Sequence, residues 1–172
     1  MLREALAPLA AAALVAAGCG GGPEAAELTE PAVPGPEGGV LAVLAADTRL
    51  ETLYRLVTAE AEDHFVGFMS FPDWNHTLFA PTDEAFEALP EGVLDELLAG
   101  PPGELTRLLD CHIIPDPVAA ADLPAEIDPI RCTWPVERDG GEIRVGPATI
   151  LEADVPATNA VVHVVDAVLW EP

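Results

Sequence analysis

Lysine is absent from this chain, and basic residues of any kind are scarce. All basic side chains are Arg, and there are 7 of them against 30 Asp and Glu, for a net charge of -23 in 172 residues. A surface this acidic repels phosphate groups, which excludes nucleic-acid binding and, unless a tether holds the chain there, contact with anionic lipid surfaces. The acidity is typical of a protein kept soluble by its charge, and a basic partner or a divalent cation is the alternative interpretation.

Serine is almost as rare, since Ser70 is the only one and no Gly-x-Ser-x-Gly turn surrounds it. The chain also lacks a phosphate-binding glycine loop and a His-Glu-x-x-His zinc motif. Cys111 and His112 are neighbours, but adjacent residues on a strand point to opposite faces, which is poor geometry for a catalytic pair. We therefore predict no catalytic residue, no cofactor and no enzymatic activity.

The N-terminus has the pattern of an export signal. An apolar run over residues 5–17 follows Arg3, and it is too short for a typical membrane span but suits a signal peptide. The run ends in Val-Ala-Ala-Gly-Cys, which resembles the lipobox of bacterial lipoprotein precursors. The resemblance implies removal of residues 1–18 and lipidation of Cys19, which would hold the chain on a lipid bilayer. An ordinary secretory signal is the alternative.

A tether and one folded domain follow the signal. Residues 19–39 are rich in Pro, Gly and Glu and contain little to bury, so they predict a flexible tether. The domain is predicted over residues 40–172, and a hydrophobic content of 50% is ample for one core.

Cysteine counting agrees with export. If Cys19 is lipidated, Cys111 and Cys132 remain as an even pair, which predicts a disulfide in an exported domain. Closing a loop of this length stabilises a domain by about 3 kcal/mol. Two buried thiols are the alternative, and the spacing of these residues does not make a zinc site.

Helical patterns dominate the first part of the domain and strand patterns the last third. Helices are predicted over residues 40–46, 48–57, 83–89 and 91–99 and from residue 104 onward. Strands are predicted over residues 77–80, 111–114, 130–137, 142–145, 149–155 and 160–169. The last strand is apolar on both faces, with Val162 and Val164 on one and Val161, His163 and Val165 on the other, as in a central strand.

The stretch TLFAPTDEAFEALP, residues 77–90, joins a strand to a helix. Pro81 ends the strand because it cannot donate to a ladder, and Thr82 or Asp83 can cap the helix that follows. Phe86 then faces the core. These ordinary structural roles account for Asp83 better than a role as a catalytic acid does.

Several segments together resemble the fasciclin domain family. TLFAPTDEAFEALP resembles its first signature segment, and ATNAVVHVVDAVLW, residues 157–170, resembles the second. Between them, CHIIP resembles the Tyr-His strand of the family, with Cys111 in the Tyr position, and VAAADL, residues 118–123, resembles the stretch that follows it. The resemblance implies an α+β fold in which N-terminal helices pack on a sheet core of mixed strands.

The resemblance also implies an adhesion or binding function. In animal members of the family the Tyr-His strand is implicated in integrin binding, so His112, Ile113 and Ile114 are candidate partner-binding residues. The partner expected here is an envelope or extracellular matrix component, either protein or polysaccharide. A metal- or small-ligand-binding enzyme on the same fold and a structural envelope spacer without a ligand are the alternatives.

His112 and His163 bear on the metal-binding alternative. His112 and His163 fall on predicted buried strands, so core histidines with satisfied hydrogen bonds are the default interpretation. A metal site that joins them with an acid such as Asp166 is the runner-up, and we predict no metal. Acidic loops of this chain lack the ordered ligand spacing of a calcium loop.

Overall fold

A computed structural model describes residues 39–60, 69, 71, 73–100 and 103–170. The predicted signal peptide, Cys19 and all of the predicted tether except Gly39 lie outside the described residues. The α-helices are α1 (Val40–Ala46), α2 (Glu51–Arg55), α3 (Asp83–Glu87), α4 (Val93–Ala99) and α5 (Glu104–Asp110). Thr48–Leu50 and Ala120–Asp122 form 3-10 turns, and α2 continues as a π-helical turn over Leu56–Glu60. No described helix is both long and apolar enough to cross a bilayer.

Seven strands form one mixed sheet. They are β1 (His76–Pro81), β2 (Ile113–Ile114), β3 (Glu126–Ile127), β4 (Trp134–Asp139), β5 (Glu142–Val145), β6 (Ala148–Ala157) and β7 (Ala160–Val165). Their order across the sheet is β2-β1-β7-β6-β5-β4-β3. The β1–β7 pair is parallel, with Leu78 opposite Val162, and the other pairs are antiparallel. The predicted α+β fold, with helices on a sheet of mixed strands, is confirmed.

Strand β7 is central, as its sequence predicts, and both of its faces are buried. Val162 and Val164 belong to the larger core, which the side chains of α1, α2 and α5 share. Val165 belongs to a second core on the other face, together with Phe79 of β1 and Trp134 of β4. A strand with apolar residues at successive positions therefore separates two cores, which explains why the usual alternation of polar and apolar residues is missing.

Asn159, in the turn between β6 and β7, fixes the start of the domain. Its Oδ1 accepts a hydrogen bond from the Val40 amide at 2.8 Å, and its Nδ2 donates to the Met69 carbonyl at 2.8 Å and the Phe71 carbonyl at 3.2 Å. Its own carbonyl accepts from the His76 amide at 3.3 Å. A side chain at position 39 would place its Cβ 2.8 Å from Asn159 Oδ1, so Gly39 permits this close approach.

Five of the six predicted strands have different bounds in the structure, and for three of them the contacts are informative. The strand expected over residues 111–114 is only Ile113–Ile114, because the Cys111 amide still donates to the Arg107 and Leu108 carbonyls and continues the last turn of α5. The strand expected over residues 130–137 begins at Trp134 and ends at Asp139. Strand β7 ends at Val165, because Asp166 turns the chain by pairing with Thr149 through both its backbone and its side chain.

Candidate functional site

The first signature segment forms a strand-to-helix corner, as predicted. The Thr82 hydroxyl caps α3 by accepting a hydrogen bond from the Ala85 amide at 3.3 Å, and the Thr82 amide donates to the Val165 carbonyl of β7 at 3.1 Å. Asp83 does something that its sequence position does not show. Its Oδ1 accepts from the Thr52 amide at 2.7 Å and so caps the first turn of α2. The corner therefore joins the sheet to two helices, and Asp83 serves as a helix cap there.

His112 is a core histidine with both ring nitrogens engaged. Its Nδ1 donates to the Leu108 carbonyl at 2.8 Å, and its Nε2 accepts from the Leu169 amide at 2.9 Å. Because a backbone amide can only donate, Nε2 carries no proton and the ring is neutral. Complete burial lowers the pKa of His112 to about 4, against a smaller opposing effect of the Leu108 hydrogen bond. The residue connects the end of α5 to the chain that follows β7.

His163 is engaged in the same way on β7. Its Nδ1 accepts from the Asp154 amide at 3.1 Å, and its Nε2 donates to the Val118 carbonyl at 3.0 Å. Burial lowers the pKa of His163, while the hydrogen bond to Val118 and the nearby Asp154 carboxylate oppose the shift. The default interpretation of satisfied core histidines therefore describes His112 and His163 correctly.

The runner-up metal site is not assembled. Neither His112 nor His163 has a ring nitrogen left for a metal, and Asp166 accepts a hydrogen bond from the Thr149 amide at 2.6 Å. Within the part of the chain that the structure describes, no group of three or more His, Cys, Asp or Glu could hold a metal ion. These side chains are committed to the fold.

Asp154 is a residue that the sequence patterns did not single out. It interrupts β6 at a bulge, with φ at 57°, which is an uncommon conformation for a residue with a side chain. Its Oδ1 accepts from the Ala120 amide at 2.8 Å while its own amide donates to His163. The only local sign of this bulge is that Asp154 is followed by Val155 and Pro156 within a strand. The hydrogen-bond partners of Asp154, Ala120 and His163, lie in other segments of the chain.

The candidate partner-binding residues lie in the interior. His112, Ile113 and Ile114 are all buried, and β2 is the edge strand of the sheet, paired on its inner side with β1. The structure thus places these side chains in the interior of the isolated chain, and their role in partner binding stays a prediction. What a partner would meet at this edge is the segment that covers it, residues 128–133.

A disulfide joins Cys111 and Cys132, whose Cα atoms are 5.1 Å apart. Two further contacts flank it. Arg131 Nε donates to Asp110 Oδ2 at 2.8 Å, and the Ile130 amide donates to the Ile113 carbonyl at 3.0 Å. Ile130 opposite Ile113 and Cys132 opposite Cys111 thus place this segment antiparallel to residues 111–113. The disulfide is thus one of the contacts by which the segment around Cys132 covers the edge of the sheet.

Comparison with known proteins agrees with these segments. The family model described as fasciclin domain matches residues 48–172. Protein sll1483 of Synechocystis sp. is 35% identical over 127 residues, which cover 71% of this chain and 69% of that protein. Immunogenic protein MPB70 of Mycobacterium bovis is 32% identical over 172 residues, covering 96% of this chain and 86% of the other.

Longer proteins and a solved structure match as well. Transforming growth factor-beta-induced protein ig-h3 of Sus scrofa is 30% identical over 144 residues, which are 80% of this chain but 20% of that protein. The structure of a FAS1 domain pair from the insect cell adhesion molecule Fasciclin I superposes with a TM-score of 0.59 at 20% identity, covering 79% of this chain and 52% of the other. At that identity the likeness concerns the fold alone.

Proposed function

The chain belongs to the fasciclin domain family, and from that premise we propose that it is an exported, lipid-anchored adhesion module without catalytic activity. Its partner is an envelope or extracellular matrix component, a protein or a polysaccharide. The proposal rests on the observation that polar side chains of the signature segments form hydrogen bonds within the fold. Thr82, Asp83, His112 and His163 each use side-chain polar atoms in hydrogen bonds that hold the fold.

With these four side chains used by the fold, the role in binding falls to the surface of the domain. That surface is acidic, since the whole chain carries 30 acidic residues and only 7 basic ones. Phosphate-rich partners are repelled by such a surface, whereas a neutral polysaccharide or a basic protein face is not. Fasciclin I, whose domain pair shares this fold, is an insect cell adhesion molecule, which agrees with a binding role.

Lipidation of Cys19 would place the module at a membrane. Acyl chains contribute about 0.8 kcal/mol for each buried methylene, so more than one chain gives stable anchoring. The segment between Cys19 and Val40 would then separate the domain from the bilayer and leave its surface accessible to a partner.

Retention on immobilised protein tests this proposal. The full chain is coupled to a support and exposed to purified extracellular matrix and envelope fractions, each divided into untreated, protease-treated and periodate-treated portions. Retention that protease removes identifies a protein partner, and retention that periodate removes identifies a polysaccharide. Retention that falls steeply with added salt indicates a basic partner.

The matched control is an unrelated folded domain of similar net charge on the same support. If no fraction is retained above that control, the adhesion function is wrong and a spacer role replaces it. Turnover of a small molecule by the purified chain would contradict the non-catalytic part of the proposal.

A further inference from the structure

The edge of the sheet is closed by a short segment, residues 128–133, which we call the clip. Two of its contacts follow one antiparallel register, Cys132 with Cys111 and Ile130 with Ile113, and the Arg131 side chain reaches Asp110 in the last turn of α5. The Ile113 carbonyl points to the outer side of β2, and the Ile130 amide satisfies it. The clip thus occupies the position of one more strand beside the edge strand. An open edge is where foreign strands add to a sheet.

Apart from the disulfide, the clip has few bonds to the edge strand. Asp128, Ile130, Arg131 and Thr133 are exposed, whereas Pro129 is buried and the half-buried Cys132 packs against the second core. Thr133 Oγ1 donates to Asp128 Oδ1 at 2.8 Å, but this bond lies within the clip. In the ion pair the Arg131 side chain keeps 56% of its surface and the Asp110 side chain 11%, so water screens the pair from the Arg131 side. The covalent bond is therefore the main connection between the clip and the edge strand.

The rest of the cross-linked loop is held without the disulfide. Thr77 Oγ1 donates to the Asp116 carbonyl and accepts from the Val118 amide, while Arg138 Nη2 donates to the Ala120 and Leu123 carbonyls. Strand β3 pairs with β4, which fixes the chain up to Ile127.

On the other side, Cys111 is attached to the last turn of α5 and His112 to the core. Loss of the disulfide would release residues 128–133 and leave both flanks in place. The expected response is local because every other part of the loop has its own partners.

We propose that the Cys111–Cys132 disulfide makes the clip redox-responsive, so that its reduction opens residues 128–133 and bares the outer edge of β2 while the two cores stay folded. The reductant is a dithiol. Its thiolate attacks the sulfur of Cys132, which is the less buried of the two cysteines, and Cys111 leaves as a thiolate that takes up a proton. The second thiol of the reductant then displaces Cys132, so that the dithiol ends as a cyclic disulfide and both cysteines as thiols.

Hydrogen exchange followed by mass spectrometry tests the proposal on the full chain, oxidised and after treatment with dithiothreitol. Peptides that contain the Ile130 amide should exchange about tenfold faster or more after reduction, under conditions in which the reduced domain stays folded, and peptides from β1 and β7 should remain far slower than those of the clip. Alkylation of the reduced, folded chain should modify both Cys132 and Cys111, since the opened clip exposes the second thiol. The double variant Cys111→Ser, Cys132→Ser should show the same exchange pattern without any reductant.

The variant Arg131→Ala, kept oxidised, is the matched control and should leave the exchange of the clip unchanged. Three results would overturn the proposal. Unchanged exchange in the clip after reduction means that other contacts hold it closed. Exchange in β1 and β7 as fast as in the clip means that reduction unfolds the whole domain. Opening of the clip in oxidised Arg131→Ala means that the ion pair, and not the disulfide, closes the edge.

Discussion

The carboxylate of Asp83 caps a helix that begins 32 positions before it: Oδ1 accepts a hydrogen bond from the Thr52 amide at 2.7 Å. Asp83 opens α3, whereas Thr52 lies in the first turn of α2. One residue of the first signature segment thus supplies a negative charge to the N-terminal end of a neighbouring helix, where the helix dipole favours it.

Replacing Asp83 by Ala should therefore destabilise the domain although Asp83 lies at the start of a different helix. Loss of an N-terminal cap costs about 1 kcal/mol in the free energy of unfolding. Urea denaturation of Asp83→Ala, Asp83→Asn and Glu84→Ala measures it. Asn should retain most of the stability because its amide oxygen can accept the same bond, and Glu84, exposed in the same turn, should cost little. Equal stability of Asp83→Ala and Glu84→Ala would contradict the cap.

Acid should destabilise the domain through His112. Burial lowers its pKa to about 4 in the folded state, against 6.5 as the ordinary value, so the unfolded chain binds the proton first as pH falls. The stability that the buried neutral His112 contributes to folding is fully present above pH 6.5. It is lost as the pH falls from 6.5 to 4, where the free energy of unfolding drops by roughly 3 kcal/mol. His163 and His76, whose pKa values burial also lowers, act in the same direction.

Chemical denaturation at a series of pH values checks this expectation. In His112→Asn the free energy of unfolding should be lower at pH 7 but should fall less steeply between pH 6.5 and 4. A variant with the same slope as the wild type would show that His112 does not titrate in this range.

A charge in the central strand should abolish folding. Val164 is 1% exposed on β7, and an unpaired carboxylate buried there costs several kcal/mol of a total stability of about 5–15 kcal/mol. Val164→Asp should lose its cooperative thermal transition and become sensitive to protease. Leu151→Asp on the neighbouring β6 is the control, since Leu151 is 57% exposed and should tolerate the change. A protease-resistant Val164→Asp would disprove the central position of β7.

Reduction should lower the melting temperature of the domain. A cross-link over 21 positions stabilises by about 3 kcal/mol, which corresponds to roughly 6–12 °C for a domain of this size. Scanning calorimetry with and without dithiothreitol measures the shift, and thiol counting in denaturant establishes the starting state. Free thiols at both Cys111 and Cys132 in protein isolated from the exported fraction without reductant would refute the disulfide.

The predicted anchor depends on Cys19, which lies outside the described residues. Mass spectrometry of the mature protein should find two or three acyl chains on an N-terminal cysteine at position 19. Cys19→Ala should leave the protein unprocessed or free of the membrane fraction. An unmodified N-terminus at Ala25 or later would show an ordinary secretory signal instead.

Sequence patterns predicted the parts of the fold whose signals are local. The apolar run of β7 indicated a central strand, and Val40–Ala46 forms the helix that its composition predicts. The sequence patterns did not predict the features that depend on contacts between residues distant in sequence. Strand β4 starts at Trp134 because the preceding residues are cross-linked beside β2, and the partner of Asp83 lies on another helix. The bulge at Asp154 depends on His163 and Ala120, neither of which is near it in sequence.

Asn159 gives the start of the domain a second attachment under mechanical load. Tension applied on the N-terminal side of Gly39 would act on α1 through the backbone and on the turn between β6 and β7 through the Val40–Asn159 hydrogen bond. Strand β7 is paired with β1 on one side and β6 on the other, so two rows of backbone hydrogen bonds hold that turn in place. Part of such a pull would therefore act at the middle of the sheet, away from its edge at β2.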